Sequence, residues 1–324
     1  MSALLTKEQS SAPSANISRR AVLKFSSYMC ALLALPASAV AAMAERLAAA
    51  PRQPVIWLSF QECTGCTESL ARSFAPTLES LIFEFISLDY HHTLQAASGE
   101  AAERARDEAI AANRGKFILV VDGAVSTKDG GLYSTIAGVA NLDMLRMIAK
   151  DAKAIVAVGT CASFGGIAGA VPNPTGAVGV EEIVSDKPLI NISGCPPIPE
   201  AIAGVLAHLA AFGKPPELDR HKRPVAFFPA TVHQRCYRRT FYRRDLFARS
   251  FDDEGARKGY CLYYLGCKGL VTRSVCATTK WNGGTSFPIQ SGHGCIGCTE
   301  PGFWDQGGIY QSSEGHRSKR RRDR

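Results

Sequence analysis

The stretch PVIWLSFQECTGCTES, residues 54–69, joins a continuous apolar run to two cysteines, Cys63 and Cys66, with two residues between them. The run PVIWLSF (54–60) predicts a buried strand because it is short, apolar and rich in β-forming residues. A Cys-x-x-Cys pair after a strand is compatible with a zinc knuckle, a redox disulfide or one corner of a larger site. The pair alone does not decide among these three.

Four more β-rich apolar runs follow in the first half of the chain, and helical stretches separate several of them. The runs are LIFEFISL (81–88), KFILVVDGAV (116–125), AIVAVGT (154–160) and PLINISG (188–194). The helical stretches are EAAERARDEAIAANRG, LDMLRMIAKDAK and, after the last run, IPEAIAGVLAHLAAFG with Gly213 as its C-terminal cap. Continuous apolar strands that alternate with helices predict a doubly wound α/β domain with a parallel sheet covered on both faces.

Cysteines follow three of the five predicted strands. Cys63 and Cys66 follow the first strand, Cys161 the fourth and Cys195 the fifth. The carboxyl ends of parallel strands lie at one edge of the sheet, so the four thiols are expected to converge there. A thiol–disulfide motif needs two cysteines and structural zinc usually takes two close pairs. Four thiolates from three strand ends favour an iron–sulfur cluster, for which Gly65, Gly159 and Gly194 provide room.

From about residue 225 onward the strand and helix periodicity fades and metal-ligand residues appear in its place. They are His233, Cys236, Cys261, Cys267, Cys276, Cys295 and Cys298. Such a segment is expected to depend on cofactors to fold. Ten cysteines outside the first fifty residues plus His233 make eleven ligands, which divide as four, four and three.

The first fifty residues are predicted to lie outside the fold, as an export leader. Arg19 and Arg20 precede the apolar stretch SSYMCALLALPASAVAAMA, the pattern of a Tat signal that exports folded chains. An ordinary Sec signal is the alternative, and Cys30 would leave with either leader. Disulfides are the default in exported proteins, but a chain of this size buries an adequate core without them.

Composition excludes some classes of function. The chain has 324 residues, 46% hydrophobic and 20% charged, which predicts a globular protein. Its net charge of +8 is concentrated in QRCYRRTFYRRD and GHRSKRRRDR, so nucleic-acid binding is not predicted. No apolar run of about eighteen residues follows Tyr310, so no C-terminal membrane anchor is assigned. The basic tail either contacts anionic lipid or is a disordered end.

Taken together and in order, the motifs resemble the small, electron-transferring subunit of a [NiFe] hydrogenase. They are ECTGCTES, GTCASFGG followed by NPTGA, GCPP, HQRC, CLYYLGCKG and WNGGTSFPIQSGHGCIGC. The resemblance runs from Pro54 to about Tyr310, with Leu270 as a departure where the family usually has proline. It implies a flavodoxin-like domain over 51–225, an irregular iron–sulfur cluster-binding domain over 226–310 and a basic tail over 311–324, after a Tat signal peptide at 1–50.

The resemblance also implies two [4Fe–4S] clusters and one [3Fe–4S] cluster. The proximal [4Fe–4S] ligands would be Cys63, Cys66, Cys161 and Cys195. The distal [4Fe–4S] ligands would be His233, Cys236, Cys261 and Cys267. The medial [3Fe–4S] ligands would be Cys276, Cys295 and Cys298, with Pro288 near the place of a fourth cysteine.

The implied enzyme is a heterodimer in which H₂ is cleaved on the large subunit and this chain carries the electrons away. The Arg-x-Cys-Gly-x-Cys and Asp-Pro-Cys motifs of a nickel–iron site are absent from this sequence. The expected partners are the large subunit and a redox acceptor such as a membrane cytochrome b, a ferredoxin-like subunit or a soluble cytochrome. The expected location is the periplasm, peripheral to the inner membrane through those partners.

Several residues carry finer expectations. Neutral His233 would make the distal cluster less negative and favour its reduced state. The arginines around it either steer an anionic redox partner or form a solvated face; they are Arg235, Arg238, Arg239, Arg243 and Arg244. Oxygen-tolerant members of the family carry extra cysteines at the positions of Gly65 and Gly166, so a conventional proximal cluster and an oxygen-sensitive or only moderately tolerant enzyme are expected.

Other candidate side chains are assigned lesser roles. His91, His92 and His208 are interpreted as packed or surface histidines rather than ligands, and His293 as a neighbour of the medial site. Glu62 and Glu68 either relay protons, contact the large subunit or lie on the surface.

Three alternatives remain. A hydrogen-sensing regulatory small subunit would have the same clusters but no Tat signal. A complex I-type quinone-reductase subunit would share the first half alone, without the six cysteines of the second half. A zinc protein would hold zinc without iron or acid-labile sulfide.

Overall fold

A computed structural model describes residues 19–49, 51–305 and 309. The basic tail over 311–324 and the first eighteen residues of the predicted leader lie outside the described residues. The domain limits at 50/51 and 225/226 stay predictions.

The described chain contains eleven α-helices and nine strands. The helices are α1 (Arg19–Leu32), α2 (Ser38–Ala49), α3 (Gly65–Ala71), α4 (Leu78–Ser80), α5 (Gly99–Ala112), α6 (Asn141–Ala149), α7 (Gly159–Phe164), α8 (Pro199–Phe212), α9 (Val232–Arg235), α10 (Arg239–Arg243) and α11 (Glu254–Arg257). The strands are β1 (Gln53–Ser59), β2 (Ile86–His91), β3 (Ile118–Asp122), β4 (Val125–Ser126), β5 (Thr135–Ile136), β6 (Val139–Ala140), β7 (Ala154–Val158), β8 (Ala177–Val178) and β9 (Leu189–Ile192). No described helix is long and apolar enough to cross a bilayer.

Five strands form one parallel sheet in the order β2-β1-β3-β7-β9. Within it Val55 of β1 pairs with Ile118 of β3, and Ile155 of β7 pairs with Leu189 of β9. The order reverses between β1 and β3, which is the doubly wound arrangement. The α/β fold class is therefore confirmed.

The sheet is buried on both faces, as its continuous apolar strands predict. Ile118 and Val120 of β3 join the core on the side of α8, whereas Leu119 and Val121 join the core on the side of α6. This division follows from the alternation of side chains along a strand. Apolar side chains therefore occupy both faces of the central strand β3 from Ile118 to Val121.

The second predicted strand is partly wrong. Residues Leu81–Phe85 form one π-helical turn, and β2 begins only at Ile86. Thr77 accepts a hydrogen bond from the backbone N–H of Ser80 and caps the preceding turn, α4, so the chain enters this stretch already helical. A short apolar run cannot by itself distinguish a buried strand from a buried helical turn.

The prediction for α8 is confirmed, including its end. Pro199 occupies the first helical position, and Gly213 closes the helix with φ +67°. Glycine suits this left-handed position because it has no β-carbon.

Residues 19–49, which the sequence predicts to be part of a leader outside the fold, pack against the α/β domain in this structure, and the leader itself stays a prediction. Helices α1 and α2 pack against each other and against α8. Met29 and Met43 are fully buried in the same core as the sheet. The physical reason is that the apolar side chains of the two helices cover a face of α8 that is itself apolar.

Beyond β9, the described chain has no strand longer than an isolated bridge, as the loss of periodicity predicts. Its own core is small and consists of Val232, Ala248, Leu262, Leu265, Phe287 and Ile289. Arg223 ties this segment to the rest: it is 1% exposed, it pairs with Asp219 at 2.9 Å and Glu300 at 3.1 Å, and it donates to the carbonyl of Thr299.

Candidate metal centres

The structure brings together the four cysteines predicted at the sheet edge. Cys63 lies in the loop after β1, Cys66 in the first turn of α3, Cys161 in α7 after β7 and Cys195 after β9. Burial, then the Asp122 carboxylate and the other three thiols, raise the pKa of Cys66 well above its usual range. Burial and the thiols of Cys161 and Cys63 raise the pKa of Cys195 to about 11. The four thiols therefore lie close enough to one another to interact electrostatically.

Glycines leave the space around these sulfurs open. A β-carbon at Gly159 would lie 2.5 Å from the Cys66 sulfur, and one at Gly166 would lie 2.6 Å from the Cys161 sulfur. A β-carbon at Gly65 would lie 3.2 Å from the Cys63 sulfur. Side chains at these positions would fill the space in front of the thiols, so the glycines fit a bulky group held between them.

Asp122 is a residue of this site that sequence reasoning missed. It ends β3, the central strand of the sheet, and its side chain is fully buried. Burial, then the Glu62 charge, raise its pKa to about 7, whereas hydrogen bonds from the side chains of Ser59, Trp57 and Thr67 oppose the rise. The Thr67 hydroxyl donates to the Asp122 carboxylate at 3.4 Å. The available signal was its place at a strand end on the same sheet edge as the cysteines.

A second group contains the three cysteines Cys276, Cys295 and Cys298. Burial, then the thiols of Cys276 and Cys295, raise the pKa of Cys298 well above its usual range. Cys276 and Cys298 line a cavity of about 410 Å³, which Pro288 also lines. Ser274 supports this group, because its hydroxyl donates to the Cys276 sulfur at 3.1 Å. The place expected for a fourth cysteine is thus on the cavity wall.

A third group contains Cys236, Cys261 and Cys267, with His233 at the start of α9. Burial, then the thiols of Cys267 and Cys236, raise the pKa of Cys261 to about 11. His233 packs edge-on against Tyr242 at 4.6 Å between ring centroids. Burial and the positive charges of Arg239 and Arg243 lower the pKa of His233. The imidazole is therefore held in the neutral form that metal ligation requires.

The three groups are joined by direct contacts. Thr160 accepts a hydrogen bond from the backbone N–H of Gly194 at 2.9 Å and donates to the carbonyl of Cys298. The backbone of Cys195 also hydrogen-bonds to the Cys298 sulfur. At the other side, the N–H of Cys295 donates to the Cys267 sulfur at 3.4 Å. The second group, Cys276, Cys295 and Cys298, therefore lies between the first and third groups.

All eleven cysteines lie within the described residues and all are free thiols. Cys30 belongs to none of the three groups. Over residues 19–49, 51–305 and 309, no three His, Cys, Asp or Glu side chains are arranged to hold a single metal ion.

The histidines that were not predicted as ligands have other partners. His91 is 1% exposed and hydrogen-bonds to the Thr67 hydroxyl at 3.3 Å and to the N–H of Thr93 at 3.2 Å. Burial, then His92, lower its pKa to about 4. His208 packs against Phe212, and His293 packs against Phe251.

The charged candidates divide into surface and buried groups. Glu68 forms an exposed ion pair with Arg72 at 2.7 Å, whereas burial raises the pKa of the half-buried Glu62. Of the five arginines near the third group, Arg238 is buried and donates to the carbonyl of Tyr260 at 2.8 Å. Arg238 therefore stabilises the local fold and is not part of an exposed face.

Comparison with known proteins places these sites in a family. The chain is 46% identical over 295 residues to the uptake hydrogenase small subunit of Azotobacter vinelandii, covering 91% of this chain and 82% of that protein. It belongs to the [NiFe] hydrogenase small subunits. It is also 47% identical to the uptake hydrogenase small subunit of Rhizobium leguminosarum bv. viciae, with 91% of this chain and 82% of that protein covered.

The family models match the two halves separately. The model described as NADH ubiquinone oxidoreductase, 20 Kd subunit, matches residues 63–209, and the model for the C-terminal part of the NiFe/NiFeSe hydrogenase small subunit matches residues 228–311. The solved Ni-Fe-Se hydrogenase from Desulfomicrobium baculatum has a TM-score of 0.75 and 35% identity, covering 81% of this chain and 100% of that chain. The hydrogenase small subunit fold therefore includes the cysteine-rich half, which a quinone-reductase subunit would lack.

Gly159→Ala is expected to abolish metal binding at the first group. Its new β-carbon would collide with the Cys66 sulfur, and its φ of +87° adds backbone strain of about 1–2 kcal/mol. Gly138→Ala is the matched control, since Gly138 has φ +80° and no atom within 4 Å of a new β-carbon. Iron and acid-labile sulfide content should fall in the first variant alone. Full iron content in Gly159→Ala would show that glycine is not needed there to keep space beside the Cys66 sulfur.

Asp122→Asn is expected to change how stability depends on pH. The folded pKa of about 7 lies above the ordinary value of about 3.9, so the native state holds a proton that the unfolded state has lost between these two values. Stability should therefore fall as pH rises through this window, by at most about 4 kcal/mol, and level off above it.

The asparagine variant should lose this slope and gain stability relative to the wild type as pH rises. Apparent unfolding temperatures from about pH 5 to about pH 8 measure it. Asp186→Asn removes an exposed carboxylate and is the control for loss of charge. Parallel curves for the wild type and Asp122→Asn would contradict the assignment.

Proposed function

We propose that this chain, as the small subunit of the enzyme, conducts electrons from the H₂-cleaving large subunit through three iron–sulfur clusters to a respiratory acceptor. The observation that carries the proposal is the series of contacts from Cys195 to Cys298 and from Cys295 to Cys267. Three groups of ligands in direct succession form a route for single electrons.

The proposed ligand sets follow the three groups. Cys63, Cys66, Cys161 and Cys195 would hold a proximal [4Fe–4S] cluster, Cys276, Cys295 and Cys298 a medial [3Fe–4S] cluster, and His233, Cys236, Cys261 and Cys267 a distal [4Fe–4S] cluster. Two observations support these sets. Glycines leave space in front of the sulfurs of the first group, and Cys195, Cys276 and Cys298 line a common cavity. When bound, such clusters accept and release one electron at a time.

The protein contributes ligands, dry surroundings and local charge. Buried thiols with raised pKa values stay protonated at neutral pH, so binding of iron would have to supply the free energy that removes their protons. At the third group the neutral imidazole of His233 in place of a thiolate would make the cluster less negative and favour its reduced form.

The exposed end of the route is proposed to be the third group. Arg235, Arg243 and Arg244 are exposed around it and offer positive charge to an anionic acceptor. A membrane cytochrome b, a ferredoxin-like subunit or a soluble cytochrome would each satisfy this chemistry.

The proposed location is the periplasm, with attachment to the inner membrane through partner subunits. The support is the Arg19–Arg20 pair ahead of an apolar stretch, which is the pattern of a Tat leader. Cofactors inserted in the cytoplasm require export of a folded chain, and this pathway provides it.

Replacement of a ligand in the third group should separate H₂ cleavage from electron delivery. Cys261→Ala in the assembled heterodimer is expected to keep D₂–H⁺ exchange, which occurs at the large subunit. Its H₂-driven reduction of an acceptor dye should fall by about tenfold or more. Thr240→Ala, at an exposed position of α10 four residues after Cys236, is the control. Unchanged dye reduction in Cys261→Ala would contradict the proposed route.

The proximal cluster is proposed to be conventional and the enzyme to be oxygen-sensitive or only moderately tolerant. Gly65 and Gly166 border the first group, at the positions where oxygen-tolerant relatives have cysteine. An EPR redox titration of the heterodimer should therefore show one reversible transition of the proximal cluster. A second transition to a superoxidised state would contradict this proposal.

A further inference from the structure

Helices α1 and α2 form a hairpin, here called the leader hairpin (Arg19–Ala49), that packs on the outer side of α8. Met29, Leu33, Met43 and Leu47 of this hairpin are buried in the core cluster that contains α8. Phe25 stacks on Phe85 of the π-helical turn with 3.9 Å between ring centroids. Arg46 lies over the ring of Phe212 at 5.7 Å. The hairpin is therefore seated on the α/β domain through apolar and aromatic contacts.

The sequence of α8 requires such a cover. After Glu200 in its first turn, the helix contains no Asp, Glu, Lys or Arg up to Phe212. A helix that is apolar all round is buried all round. The sheet covers one side of α8, and Met29 approaches its other side, where the Met29 sulfur would lie 3.8 Å from a β-carbon at Gly204.

The same packing buries part of the twin-arginine motif. Within the motif, Val22 is 3% exposed and Phe25 is half-buried against Phe85, and Ser26, directly after the motif, is fully buried. Arg20 and Lys24 remain exposed on the opposite side of α1. A receptor that reads Arg20–Phe25 would reach the exposed side chains of Arg20, Leu23 and Lys24 but not that of Val22 while the hairpin is seated.

We propose that α8 is a docking surface for the chain's own leader hairpin, and that the seated hairpin withholds the export signal until it leaves α8. The effect of docking on export rests on the proposed Tat export of this chain. The docking itself rests on the contacts of α1 and α2 with α8, Phe85 and Phe212. Release of the hairpin would expose an apolar face of α8.

Cys30 reports directly on docking, because it is 2% exposed and its sulfur lies 4.0 Å from the Met43 sulfur. The full chain with intact leader is pulsed with iodoacetamide under native conditions, and alkylation of Cys30 is measured by mass spectrometry. Phe85→Ser removes a stacking partner on the body side and should raise the alkylation rate of Cys30 about tenfold. Phe83→Ser is the matched control, since Phe83 lies on the same turn and is 64% exposed.

Phe212→Ser is a second variant in the α/β domain, at a half-buried position of α8. It tests the docking of the hairpin if Phe85→Ser does not fold. It too should raise alkylation of Cys30, while Phe83→Ser should match the wild type. Alkylation of Cys30 in the wild-type chain as fast as in urea would overturn the docking. So would equal rates in Phe212→Ser and the wild type.

Export is measured separately, as leader cleavage in cells that lack the large subunit. The wild-type chain should keep its leader, and Phe212→Ser should be cleaved about tenfold more. Equal cleavage would overturn the withholding of the signal. Arg19→Lys with Arg20→Lys should abolish cleavage and leave Cys30 protected. Continued cleavage in that variant would refute Tat export and leave the docking intact.

Discussion

The hydroxyl of Thr160 links the two halves of the molecule where the first group of cysteines meets the second. It accepts from Gly194, next to one ligand of the sheet edge, and donates to the carbonyl of Cys298 in the cysteine-rich half. Thr160 is 1% exposed, so both hydrogen bonds are shielded from water and costly to lose. Ser193 adds a parallel link from its hydroxyl to the carbonyl of Thr299 at 2.8 Å.

This link matters because the cysteine-rich half has little core of its own. Six buried apolar residues cannot offset the entropy of ordering a segment without strands, so that half depends on the sheet edge and on its cofactors. Because this half packs against the strand ends, the second group of cysteines also lies beside the first group. The fold of the second half and the route for electrons thus follow from the same contacts.

The sequence predicts the parallel sheet and the four sheet-edge cysteines well, because strand periodicity and strand ends are local signals. It fails at Leu81–Phe85, where an apolar run forms a π-helical turn instead of a strand. Asp122 and Thr160 were not anticipated, since their importance comes from burial beside residues distant in sequence. The packing of Met29 and Met43 against the body was missed for the same reason, because a leader pattern carries no information on tertiary contacts.

Anomalous diffraction at the iron edge, from crystals of the assembled heterodimer, tests the central claim most directly. The account predicts three separate iron peaks in this chain: one beside Cys63, Cys66, Cys161 and Cys195, one beside Cys276, Cys295 and Cys298, and one beside His233, Cys236, Cys261 and Cys267. A zinc-edge peak without iron at the first group would contradict it, and so would the absence of iron from the central group.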